Sequence, residues 1–127
     1  MLRRVGFFRE TEPDEAPDGP SLRDAVGRMP EDIRRPVARY LMGGAALVIA
    51  RWPVSDVLDP CKTHIGYPHR LTDGTWEWSE YLAYYVAEYG VGLPAEFIMT
   101  MRGNGWEPPP LTPDEVLALR EEQRPYE

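Results

Sequence analysis

The chain has 127 residues, enough for one domain with a single core, and its apolar fraction of 43% is ordinary for a globular protein. A formal charge of −7 without a basic stripe argues against binding nucleic acid phosphates, and no apolar run approaches the roughly 20 residues that span a bilayer. One cysteine, Cys61, excludes an internal disulfide. The short apolar stretch after Arg3-Arg4 does not make a signal peptide, so the expected location is cytoplasmic.

Residues 2 to 8, LRRVGFF, read as a first strand with Val5 and Phe7 turned inward. Glu10 to Pro20 follows as a loop, because three prolines and five acids can neither bury apolar area nor hold a helix. Its first nine residues are expected to be loose. Ser21-Leu22-Arg23-Asp24 resembles a capping box and predicts a short helix to about Met29. A longer helix starts at Glu31, with Val37, Tyr40 and Leu41 toward the core, a kink or restart at Pro36, and a stop at Gly43-Gly44.

Ala45 to Trp52, AALVIARW, is an apolar, partly β-branched run between Gly-Gly and Pro53, and reads as the central strand. Val54 to Leu58 is expected to form one helical turn. Residues 64 to 71 and 75 to 78 form a hairpin across Thr72-Asp73-Gly74, a turn in which Asp bonds its own backbone and Gly supplies positive φ. Pro68 restricts the first arm to an edge or a bulge.

The stretch from Leu71 to Trp106 holds eight of the fourteen aromatic residues, and the rest of the chain is expected to organise around it. Trp76 and Trp78 share one strand face at period two, and Ser79 reads as the N-cap of a helix ending at Gly90. At 100° per residue, Tyr81, Leu82, Tyr85, Val86 and Tyr89 fall in one apolar arc. Another helix begins at Pro94 and buries Phe97, Ile98 and Met101 before Trp106 returns to the core. After the stiff connector 107–110, Thr112-Pro113-Asp114-Glu115 caps a final helix over 113–124. The sum is a single α+β domain with a small antiparallel or mixed sheet of three or four strands and helices mainly on one face.

The pattern TDGxWxW, the Tyr-Tyr-Val helix, LPxxF and the following Gly-Trp, together with VGFFRE, GPSLRDAV and DVLDP, resembles a group of small uncharacterised actinobacterial proteins. The resemblance covers most of the chain and implies one coherent domain. It brings no catalytic residue, cofactor or partner.

Two sets of residues are candidates for function. Glu80, Tyr84 and Glu88 stand at i, i+4 and i+8 on the wet side of their helix, an aromatic anchor with an acidic rim suited to a protein partner of basic charge. Cys61, His64 and His69, with Asp59 or Asp73, could ligate a zinc-like ion or serve a cysteine-dependent enzyme. Their spacing matches no established site, and histidines five apart on an extended arm point to opposite faces. The reading is therefore a small acidic protein-binding module that inhibits or regulates a partner in the manner of an immunity protein, without cofactor. The enzyme built on residues 59–73 is the alternative.

Overall fold

A computed structural model describes residues 2–123, among which the chain forms four strands and five helices. Strand β1 is Arg3–Arg4, β2 Ala45–Val48, β3 Arg70–Thr72 and β4 Trp76–Ser79, in the spatial order β1-β4-β3-β2. β1 runs parallel to β4, and the other pairs are antiparallel. The expected small mixed sheet of an α+β domain is present. Helices α1 (Leu22–Ala25), α2 (Glu31–Met42), α3 (Leu82–Tyr89), α4 (Ala95–Gly103) and α5 (Pro113–Gln123) complete it.

The hairpin is built by its turn. Asp73 Oδ1 accepts the N–H groups of Thr75 and Trp76 at 2.9 and 2.7 Å, and the Thr72 hydroxyl donates to the Trp76 carbonyl at 2.6 Å. That sets Leu71 opposite Trp78 and Thr72 opposite Glu77. Trp76 and Trp78 consequently share one face, where Phe97 of α4 packs at 4.9 and 5.4 Å between ring centres and Tyr40 of α2 lies 6.1 Å from Trp78. Both indole N–H groups are satisfied, by Thr100 Oγ1 and by the Leu41 carbonyl. The centre of the core is here.

The opposite face of β4 is also covered, although Glu77 and Ser79 lie on it. The loop 10–20 closes over it. Arg4 reaches Glu77 and Glu15, Arg70 reaches Glu12 and Glu15, and both guanidiniums stand over the Phe7 ring at 4.2 and 4.6 Å. Tyr81 donates to Glu12 at 2.6 Å. Glu10 holds the start of α1, accepting from Leu22 N–H and the Ser21 hydroxyl, each at 2.7 Å. This loop is tied down by its acids, contrary to the looseness that their charge and the prolines imply.

Several boundaries differ from expectation. The first strand is confined to Arg3–Arg4 because the chain turns at Gly6, whose φ of 75° a side chain would strain, and the buried Val5, Phe7 and Phe8 are loop residues. α1 stops at Ala25, not near Met29. Pro36 sits inside α2 without ending it. Val54–Leu58 is not helical: Val54 bridges to Gly66, and Asp56 shapes a tight loop. Ser79 ends β4, Tyr81 occupies the N-cap position of α3, and Gly90 closes α3 in the left-handed conformation (φ 61°) as expected.

The largest correction concerns AALVIARW. It is an edge strand of four residues, and beyond it Ile49 and Trp52 are 69% and 76% exposed. α5 approaches its outer side, with Arg120 Nε donating to the Leu47 carbonyl at 2.8 Å. The cap of α5 is the reciprocal Thr112–Glu115 pair that the sequence predicts. The last predicted residue of that helix, Arg124, lies outside the described residues.

Candidate functional site

α2 and α3 pack side by side, and a groove of about 470 Å³ runs between them. Arg34 fixes the pair: at the negative end of α3 its Nε and Nη2 donate to the Val86 and Ala87 carbonyls at 3.1 and 2.8 Å, beside the Gly90 N–H that also reaches the Val86 carbonyl. The start of α2 therefore lies beside the end of α3. Arg35, Ala38, Arg39 and Met42 supply one wall, Ala83, Tyr84 and Ala87 the other, and Ile65 and Glu80 close one end.

Two of the three expected binding residues, Glu80 and Tyr84, are brought to this groove. Glu80 belongs to the turn before α3, and Glu88 is exposed outside the lining. Tyr84 is half-buried, and its hydroxyl is not free: it donates to Asp56 Oδ2 at 2.7 Å. Tyr84 thus lines the groove while its hydroxyl is taken up by Asp56.

Asp56 is a residue that sequence reasoning missed. It is 1% exposed, and among the described residues no cation pairs with it. Tyr84 and Tyr89 both donate to Oδ2, and the N–H groups of Leu58 and Asp59 donate to Oδ1 at 2.7 and 3.2 Å. Burial alone would raise this carboxyl, but the bonds from Tyr89, Tyr84, Leu58 and Asp59 prevail and hold it below the usual range. The same carboxylate pushes Tyr89 up to about 12, chiefly through its hydrogen bond, while burial and then Asp56 raise Tyr84. Tyr85 completes the clasp by accepting the Val57 N–H at 3.0 Å. The one available signal was the phenol spacing on α3, since Tyr84 and Tyr89 carry hydroxyl donors that a partly buried position pairs with an acceptor.

A second exposed feature lies beside the groove. Val54 bridges to Gly66, itself in the groove lining, and from there the chain leads back to Trp52. Tyr67 stacks on His69 at 5.0 Å between ring centres, and His69 Nδ1 accepts the Ala50 N–H at 2.8 Å. This latch pins the chain just past β2, and around it Val48, Ile49 and Trp52 are exposed, a ledge of apolar side chains.

The residues of the alternative site are not brought together. His69 spends Nδ1 on Ala50, and Asp73 spends its oxygens on the turn and on the Tyr40 hydroxyl at 2.6 Å. Cys61 and His64 are exposed, and Asp59 accepts the Cys61 N–H within its own loop. Among the described residues no three His, Cys, Asp or Glu side chains are placed to hold a metal ion, and none of the described helices is long and apolar enough to cross a membrane.

Fold and surface together define a small α+β domain with an interhelical groove and an exposed aromatic ledge. No protein-family model matches the chain, and neither a curated protein nor a solved structure shows significant similarity to it.

Proposed function

We propose that this protein is a protein-binding module that inhibits or regulates a partner in the cytoplasm, in the manner of the immunity proteins that pair with toxins. The supporting observation is the ledge. A run of Val48, Ile49 and Trp52 exposed at 52%, 69% and 76% is apolar area that folding leaves in water. Exposed tryptophan beside aliphatic side chains is the composition of an interface hot spot. The neighbouring groove, with the Tyr84 ring and Glu80, adds a second place of contact, and Glu88 stands on the solvent side of the same helix. The acidity of the whole chain would steer a basic partner toward it at long range.

The test starts from affinity capture in extract of the source organism, followed by titration of the purified partner. Trp52→Ala should weaken that complex by about 2 kcal/mol, roughly thirtyfold, and leave the melting temperature unchanged. A partner that binds wild type, Trp52→Ala and Ile49→Ser equally would remove the support for this reading.

A further inference from the structure

The groove between α2 and α3 carries a charge pattern that the chain as a whole does not. Its lining and its extension toward Glu31 contain three arginines, at 34, 35 and 39, and two acids, Glu31 and Glu80, a local excess of one positive charge in a chain of −7. Arg34 and Glu31 pair with each other at 3.0 Å. Arg35 and Arg39 are exposed, and neither forms an ion pair among the described residues. They stand one helical turn apart, so their guanidiniums emerge on the same side of α2, about 6 Å apart at their bases.

Between them and α3 the floor is made of small side chains, Ala38, Ala83 and Ala87, with Met42, Ile65 and the Tyr84 ring at the far end. Small residues on two adjacent helices let a third helix approach closely and pack its side chains into the groove. The α2 side is twelve residues long, about 18 Å, which matches three turns of an incoming helix.

Building on the protein-binding reading, we infer that this groove receives an amphipathic helix of the partner with an apolar stripe beside carboxylates spaced four residues apart. The stripe packs on Ala38, Ala83, Met42 and Tyr84, and the carboxylates take up Arg35 and Arg39, where each pair can be bidentate. The inference concerns this contact alone, so a partner of basic overall charge steered by the acidic chain can still present such a segment.

The probe is a synthetic amphipathic helical peptide with a leucine stripe flanked by glutamates at i and i+4, with two controls. In one control lysine replaces glutamate, and in the other serine replaces leucine. Titration into ¹⁵N-labelled full-length protein should move the amides of Ala38, Ala83 and Ala87 for the first peptide only. Arg35→Glu with Arg39→Glu should weaken that binding about tenfold or more, an effect that diminishes with added salt. Should the double reversal fail to fold, Arg35→Gln with Arg39→Gln keeps the measurement possible, with a smaller loss in the same direction.

Equal binding of the lysine peptide would overturn the inference, as would shifts confined to the Trp52 ledge or no shifts at millimolar peptide. A short DNA duplex that displaces the peptide and depends on the same arginines would reassign the pair to phosphate. Partner binding that depends on Trp52 but ignores Arg35 and Arg39 sinks the groove inference and leaves the protein-binding reading standing. Peptide binding in the groove with a Trp52-insensitive partner keeps the groove inference and removes the support that the ledge gives to the protein-binding reading.

Discussion

Ala45–Trp52 and Trp76–Ser79 are both short, tryptophan-bearing strand sequences, and the structure treats them in opposite ways. The first is the more apolar, yet it ends as an edge strand with Ile49 and Trp52 in water. The second carries Glu77 and Ser79 on alternate positions and is buried on both faces. The difference lies in what reaches each strand. β4 receives α2 and α4 on its indole side and the loop 10–20 on the other, where Arg4 neutralises Glu77. At its end the first strand receives the guanidinium of Arg120 at Leu47, and past Val48 the His69 latch at Ala50. Apolar sequence therefore reports a need for cover, and only the assembled neighbours decide whether the chain itself supplies it.

The comparison breaks most directly by truncating each indole. Trp78→Ala should cost roughly 3 to 5 kcal/mol, and Trp52→Ala should stay within about 0.5 kcal/mol, in urea titrations of the two variants. Similar losses would mean that the ledge is core and not surface. Next in size is the clasp that anchors the chain below the ledge. Asp56→Ala strands two phenols and two backbone N–H groups and should cost about 2 to 3 kcal/mol, whereas Tyr84→Phe removes one bond and should cost about 1 kcal/mol. A neutral Asp56→Ala would show that the 54–66 loop hangs free.

The pH dependence sharpens the contrast between the acid-tied loop and the uncovered ledge. Against the opposing effect of burial, bonds from Leu22, Ser21 and Arg23 hold the Glu10 carboxyl at about 2. Its stabilisation is complete above the unfolded value, about 4.5, and is lost as pH falls from there toward 2. Melting temperature should fall over that window, and less steeply in Glu10→Gln. At the alkaline end the sign reverses. Tyr89 is raised to about 12 by its bond to Asp56, so its contribution is complete below about 10 and fades as pH rises toward 12. A tyrosinate absorbance titration should show this delayed ionisation, and Asp56→Asn should advance it.

The smallest expected effect is at the guarded edge. Arg120→Ala removes one hydrogen bond to the Leu47 carbonyl and should cost about 1 kcal/mol or less, with faster amide exchange confined to α5. Faster exchange throughout β3 and β4 would mean that α5 supports the sheet more broadly.

What the sequence determined by itself is local and short in range. Thr72-Asp73-Gly74 and Thr112-Pro113-Asp114-Glu115 carry side-chain acceptors within three residues of the N–H groups they satisfy, so turn and cap could be read directly. The buried face of α2 was legible from its period of 3.6, and so was the stop of α3 at Gly90. Tyr84 could be placed on its helix from the 3.6 period, but Glu80 lies in the turn before α3, and Arg35 and Arg39 come to line a groove only when α2 lies beside α3. Only tertiary structure could decide which strand is central, since an apolar run specifies burial without naming its cover. The same holds for Asp56, which lies 28 residues from Tyr84 and 33 from Tyr89. A bond between groups so far apart along the chain depends on the closure of the whole fold, and no local periodicity encodes it.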